Sequence, residues 1–329
     1  VPTIVHAADL HLNSPLRGLP GLAADLLPAP TWTAFDALID LVMREQADVL
    51  ILAGDLTDRD WYDGAVARRL HDSLAALHEA AIPVLITSGN HDATCRARER
   101  MIDVAGPLPP ATIWFDTDHA HTHVLDDIGV AAHGRSLPAG AIAADLVPGF
   151  PSPVPDLLNV GILHTSLDGT RPGKPCAPTT VSALNDAGYQ YWALGHVHTR
   201  EVVSRDPLIV YPGNIQGRGI GEPGPKGATV IDVDGTRVTR TTHHELAAVR
   251  WERVRVDTTG HRRADEIIEH TLAVLDHAAD VLEPGQRLAA RIEIAAAPPT
   301  LGDQAEMSAG IRAAATRDPR FLLERIEWV

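Results

Sequence analysis

At 329 residues the chain is long enough for one large domain and a smaller companion, and 45% hydrophobic residues supply a core. A formal charge of -15 excludes a protein that grips polyanions over its whole surface, while leaving room for a local basic path. Two cysteines, Cys95 and Cys176, exclude a disulfide framework and a cysteine-rich zinc site, and they suit a reducing, cytoplasmic setting.

The first half alternates strands and helices. Residues 3–8 read as a strand, and 13–30 as a loop punctuated by Pro and Gly. Trp32, Phe35, Leu38, Ile39, Val42 and Met43 recur at helical spacing, with Thr31 as a cap. A strand over 48–53, a helix over about 64–80 and a strand over 82–87 follow. This βαβαβ opening predicts a parallel core sheet.

The middle is β-rich. Short strands are expected at 113–115, 121–125, 129–133, 158–164, 189–194, 208–211, 228–233 and 237–242, with a hairpin turn at Asp234-Gly235. A two-sheet sandwich flanked by helices fits this better than a simple doubly wound sheet. Composition shifts near Leu246. Beyond it, strands at 251–257, 288–295 and 321–329 alternate with helices at 264–282 and 303–315. We therefore expect two domains, 1–246 and a small α+β cap at 247–329. No apolar run is long enough to span a bilayer, and no signal pattern opens the chain. Only Lys174 and Lys226 are lysines, the other 26 basic residues being Arg, which reads first as codon bias.

Several strands run into polar residues of one chemical kind. Residues 3–8 lead to Asp9-Leu10-His11, 48–53 to Gly54-Asp55, 82–87 to Ser88-Gly89-Asn90-His91-Asp92, and 189–194 to Gly195-His196-Val197-His198. The carboxyl ends of adjacent strands in an open α/β sheet are where sites gather. Carboxylate, amide and imidazole donors without thiolate suit Mn²⁺, Fe or Zn²⁺. The seven donors Asp9, His11, Asp55, Asn90, His91, His196 and His198 are too many for one ion. Two ions about 3.5–4 Å apart that share a carboxylate are the usual solution, and such a pair can bind a phosphoryl oxygen and activate water for in-line attack.

These blocks, with His164 at the end of the strand over 158–164, resemble the calcineurin-like metallophosphoesterase superfamily, and within it the SbcD-type DNA-repair exonucleases. The resemblance covers residues 9 to 198 and implies a four-layer αββα sandwich. It implies that Asp9, His11 and His198 hold one ion, that Asn90, His164 and His196 hold the other, and that Asp55 bridges. His91 then orients the phosphate or protonates the leaving oxygen, and Mn²⁺ is the expected metal. One departure matters. Gly54-Asp55-Leu56-Thr57-Asp58-Arg59 looks like the protein-phosphatase pattern, where nucleases of this type often carry His at the position of Asp58. On that pattern Asp58 raises the basicity of His91 and Arg59 faces substrate. Asp92 points the other way, because protein phosphatases usually carry Glu after the His. Arg135, at a strand end, is a further candidate for phosphate contact.

The function this implies is Mn²⁺-dependent hydrolysis of DNA phosphodiesters, as a 3′-5′ exonuclease with endonuclease activity left open. The implied partners are DNA and a long coiled-coil ATPase of the SbcC type, in the cytoplasm beside the nucleoid, with a homodimer allowed. Relatives bind that ATPase through helices after the cap. The sequence here stops at Val329 on a strand-like run, so that tether is expected to be missing or removed. A phosphatase or small-molecule phosphodiesterase on the same site, and a non-catalytic DNA-end or ATPase-binding scaffold, are the alternatives. Elsewhere, His6 reads as a packed core histidine. His119, His121, His123, His243 and His244 read as solvated. Arg96, Arg98 and Arg100 read as either steering groups or a solvated helix face.

Overall fold

Uninterrupted runs of apolar β-formers set the centre of the molecule, because a strand buried on both faces needs no polar alternation. The computed structural model describes residues 2–19, 30–58, 62–138, 142–170, 175–295 and 304–329. Two compact units emerge, each drawn from three segments: 1–14, 31–215 and 226–246 form the first, and 15–30, 216–225 and 247–329 the second.

The first unit contains two six-stranded sheets. In one, β1 (Thr3–Ala7), β2 (Val49–Ala53), β3 (Val84–Thr87) and β4 (Thr112–Trp114) run parallel in that order. The antiparallel hairpin β11 (Gly227–Asp234) and β12 (Arg237–Glu245) extends it beyond β1. The other sheet takes the order β5-β6-β7-β8-β10-β9 from His121–Leu125, Val130–Gly134, Leu158–His164, Tyr191–Gly195, Leu208–Tyr211 and Glu201–Arg205. Its four central strands are parallel.

Side chains of alternate parity divide the work. Ile4, Val49, Ile51 and Leu85 of the first sheet pack with Val130, Val160, Ile162, Tyr191 and Val210 of the second. Val5, Leu50, Leu52, Val84 and Ile86 face the other way, against α1 (Pro30–Arg44) and α2 (Gly64–Glu79). The start of α2 is fixed by Asp63, whose carboxylate accepts from Ala65 N and Val66 N at 2.8 and 3.0 Å and satisfies two orphan donors of the first turn. Thr31 does not cap α1. It lies inside the helix, and its Oγ1 takes the N–H of Asn13 instead. The outer face of the second sheet is covered by the six-residue helix α5 (Val181–Asp186) and apolar loop residues such as Leu137, Leu146 and Leu167. The result is an αββα sandwich whose fourth layer is mostly loop among the described residues.

The second unit is a βαβ pattern repeated: β13 (Val249–Asp257), α6 (Ala264–Ala278), β14 (Arg287–Ala295), α7 (Gln304–Ala315) and β15 (Phe321–Trp328), with all three strands parallel. Val254, Val256, Leu288, Ile292 and Ile294 pack with Leu275 and Ile311 of the helices. Helix α6 ends four residues earlier than its apolar spacing suggests, and Val281 is 56% exposed. Trp251, at the other face of β13, is buried with Leu16, Leu19, Ile220 and Leu322.

Candidate metal centre

Parallel strand order decides where the polar blocks go. Asp9 and His11 follow β1, Asp55 follows β2, and Asn90 and His91 follow β3, three adjacent parallel strands. His164 closes β7 and His196 and His198 follow β8, an adjacent parallel pair in the other sheet. All of these strands end on one rim. Two short helices, α3 (Asn90–Cys95) and α4 (Ala97–Ala105), carry the chain away from the third block; the second is the helix face that was one of two readings of Arg98 and Arg100.

The donor atoms converge. Three groups each lie within 4.8 Å of one another: Asp9, His11 and His198; Asp9, Asp55 and His164; and His11, Asp58 and His91. Asp55 Oδ2 stands 3.5 Å from His164 Nε2 and 3.8 Å from His11 Nε2, so it faces both sides of the cluster. Asn90 Oδ1 is 3.2 Å from both His164 Nε2 and His196 Nδ1. His11 Nε2 is 3.2 Å from His198 Nε2, which is 3.6 Å from Asp9 Oδ1. The structure thus brings together Asp9, His11, Asp55, Asp58, Asn90, His91, His164, His196 and His198. Arg135 is not among them; its Nε donates to the carbonyl of Thr117 at 3.2 Å. Arg59 lies outside the described residues.

Close approach is bought with unusual backbone. Asp9, His11 and Asp55 have φ of 52°, 42° and 52°, and His196 has φ of 103°. Non-glycine residues in this region cost about 1–3 kcal/mol each and persist where the surroundings over-determine them. Gly89 lies so near that a Cβ there would run into the Asp55 carboxylate, and one on Gly195 would run into the Ala53 carbonyl.

The arrangement fits divalent cations on its own chemistry. His164 Nδ1 is 3.0 Å from the Ala53 carbonyl, which can only accept, so the ring donates there and turns Nε2 toward Asn90 and Asp55. With their protons removed, these imidazole nitrogens and the neighbouring oxygens offer a set of lone pairs that could hold a cation. Asp9 Oδ1 is buried without a hydrogen-bond donor among the described residues. Proton affinities carry the same message. Burial disfavours a charged His164, but the Asp55 carboxylate carries it up to about 9. Burial pushes Asp55 upward as well, yet His164, His11 and His91 together hold it well below the usual carboxylate range. Burial pushes Asp9 up, more than His198 and His164 pull it back.

His91 stands apart. Its Nδ1 is 3.3 Å from Asp58 Oδ1, and its ring meets that of His11 edge-on at 4.8 Å between centroids. Burial would lower its pKa; the Asp58 and Asp55 carboxylates more than reverse this and leave it raised. Ser14 Oγ donates to the other oxygen of Asp58 at 3.2 Å and fixes that carboxylate.

Two supporting residues were not foreseen. Asp92 carried no structural expectation beyond the family pattern. Its Oδ2 accepts from Leu56 N and Gly89 N, and its Oδ1 from Thr57 N and Thr57 Oγ1, all within 3.1 Å. It thereby ties the loop of Asp55 to the loop of Asn90 and His91. Burial and the Asp55 charge raise it to about 6 against the pull of these donors. Lys226 is buried, and its Nζ donates to the His198 carbonyl at 2.6 Å. The signal for Asp92 was its place three residues after Gly89, where a helix start takes an acceptor.

The remaining sequence candidates have partners elsewhere. His6 is fully buried with Nδ1 2.7 Å from Tyr191 Oη. His243 is not solvated as expected: both ring nitrogens are buried, and burial together with nearby Arg200 lowers its pKa to about 4. Arg98 pairs with Asp116 at 2.9 Å, and Arg100 donates to the Tyr62 carbonyl at 3.3 Å. Cys95 is pushed up to about 11 by burial, consistent with an inert thiol.

The calcineurin-like phosphoesterase pattern matches residues 2–200, more than half of the chain, and the protein belongs to that family. Its cluster of Asp and His donors could hold metal ions, as a dimetal phosphoesterase site of that family requires. The chain is 30% identical over 270 residues to the uncharacterized metallophosphoesterase YhaO of Bacillus subtilis, covering 78% of this chain and 63% of that one. It is 26% identical over 225 residues to the DNA double-strand break repair protein Mre11 of Methanopyrus kandleri, covering 64% of this chain and 48% of that one. It is 23% identical over 265 residues to the SbcD component of the SbcCD nuclease of Staphylococcus saprophyticus, covering 72% and 67% respectively. The chain therefore spans less than two thirds of the length of the first two. Among the described residues no helix is long and apolar enough to cross a membrane.

Proposed function

We propose that the protein is a DNA nuclease, a Mn²⁺-dependent 3′-5′ exonuclease that cleaves phosphodiester bonds in DNA repair. The observation that carries the dimetal part is Asp55, whose Oδ2 lies within 3.8 Å of an imidazole on either side. Asp9, His11 and His198 would hold one ion, Asn90, His164 and His196 would hold the second, and Asp55 would serve both. A pair of divalent ions supplies polarisation of the phosphoryl oxygens and a water acidic enough to attack at neutral pH. Carboxylate, amide and imidazole donors without thiolate suit Mn²⁺, Fe or Zn²⁺, and the resemblance to SbcD-type nucleases selects Mn²⁺ among them.

The chain's own residues do the rest. His164 donates from Nδ1 to the Ala53 carbonyl, which leaves Nε2 as the ring atom that would face a cation. His91, whose pKa the Asp58 carboxylate raises, is the group placed to give a proton to the departing 3′ oxygen. Ser14 holds Asp58 in place for this. The nuclease reading is supported by the similarity to Mre11 and to the SbcD component of SbcCD, and it brings with it DNA and an SbcC-type ATPase as partners in a cytoplasmic, reducing setting. We assign residues 1–246 the chemistry and 247–329 the role of a cap.

A second reading, a phosphatase or small-molecule phosphodiesterase, is favoured by the Asp58–His91 pair at 3.3 Å. End-labelled linear duplex DNA and a nitrophenyl phosphate ester, each offered with Mn²⁺, separate the two. Stepwise shortening from the 3′ end is expected. Hydrolysis of the ester with intact DNA would select the second reading.

A further inference from the structure

A chain that uses Arg for 26 of its 28 basic residues places one of its two lysines, Lys226, where only 2% of its surface meets solvent. An ammonium in such a place is stable only against good acceptors. Its Nζ donates to the main-chain carbonyl of His198 at 2.6 Å, and the N–H of Asn214 points to the same oxygen at 3.3 Å. The other end of this short segment is also held, because His196 N donates to Asp9 Oδ2 at 2.9 Å.

These anchors matter because residues 196–198 lie beyond the last rung of β8. No strand ladder fixes the direction of the His198 side chain. Rotation of its peptide plane would swing the imidazole away from His11 and Asp9, which it faces at 3.2 and 3.6 Å. Lysine suits the task where arginine does not. An ammonium is a compact point charge on a slim stem, whereas a guanidinium is a broad planar fork that needs room for five donors.

We propose that Lys226 is a positioning residue: through the His198 carbonyl it aims the imidazole at the ion position made by Asp9, His11 and His198, and it leaves the position made by Asn90, His164 and His196 untouched. This rests on the ligand assignment proposed above. Loss of an outer partner of a metal-binding residue weakens metal affinity by about 10–100-fold. The effect expected here falls on one of two sites.

The test is Mn²⁺ binding to the intact chain by isothermal titration calorimetry, with folding followed by circular dichroism. Wild-type protein should bind two ions; binding of fewer would overturn the ligand assignment itself rather than the role of Lys226. Lys226→Met keeps the stem and removes the donors. It should weaken one site about tenfold or more and leave the other unchanged. In an Asn90→Ala background, which keeps the Asp9, His11 and His198 position, Lys226→Met should weaken the remaining site; in a His11→Ala background it should not. Lys226→Gln, which retains an amide donor, should recover part of the loss, and it replaces Lys226→Met as the deciding variant if the latter does not fold. Two unchanged sites, or equal weakening of both, would overturn the proposal.

Discussion

Replacing Asp92 tests whether the rim is held together by one buried carboxylate. Four donors converge on it: Leu56 N, Gly89 N, Thr57 N and Thr57 Oγ1, at 2.9 to 3.1 Å. At about pH 8 the group is ionised, since its pKa lies near 6. Each buried donor left without an acceptor costs about 1–3 kcal/mol. Taking the lower figure for each, because water enters the space left behind, Asp92→Ala loses about 4 kcal/mol. Asp92→Asn keeps the shape and one oxygen, so only the two donors on the lost oxygen are stranded, and the cost is about 2 kcal/mol. Urea unfolding in the presence of a chelator measures both values, and hydrogen exchange over 54–58 and 88–93 locates the change. Because the two loops carry Asp55, Asn90 and His91, Mn²⁺ affinity at both positions should fall in step. An Asn variant as stable as wild type, or a destabilised variant with unaltered ion affinity, would refute the reasoning.

Other expectations follow from the same geometry. His91→Ala should keep the fold and both ions but lose cleavage, checked by calorimetry beside a gel assay; retained cleavage removes His91 from the chemistry. Asp58→Asn should move the alkaline limb of the pH–rate profile downward, since the raised pKa of His91 depends on that carboxylate after burial has pulled the other way. His6 links stability to pH. Burial lowers it from 6.5 to about 3, so the unfolded chain takes up a proton that the folded chain refuses; this stability is complete above pH 6.5 and is lost as pH falls toward 3. The loss amounts to about 1.4 kcal/mol per pH unit for one proton. His6→Gln should therefore flatten the pH slope of urea stability by that amount between about pH 6 and pH 5.

The legibility of the sequence varied with how local the physics is. Strands such as 49–53 and 158–164 could be read because buried central strands are unbroken β-formers. Helix α3 could not, and α4 was legible only as one of two readings of its arginines, since ATCRARER offers charge and little apolar periodicity. Met43 was counted into the stripe of α1 yet is 49% exposed, because spacing alone does not say how wide the buried face is. The placement of β11 and β12 beside β1 needed tertiary pairing. At the site, the five donor blocks were legible as motifs. Asp92 reaches Leu56 and Thr57, and Lys226 reaches His198, across 28 to 36 residues of sequence and on backbone groups, and no local spacing encodes those partners.

The second unit is threaded through the chain in three pieces, and that has a consequence for dissection. A single cut at 246 does not liberate two self-sufficient halves. It strands Leu16, Leu19 and Ile220 on the amino-terminal fragment without Trp251 and Leu322, the bulky side chains that shield them. Such a fragment is expected to be sticky and poorly behaved, whereas a graft replacing 15–30, 216–225 and 247–329 together would keep each oily cluster whole.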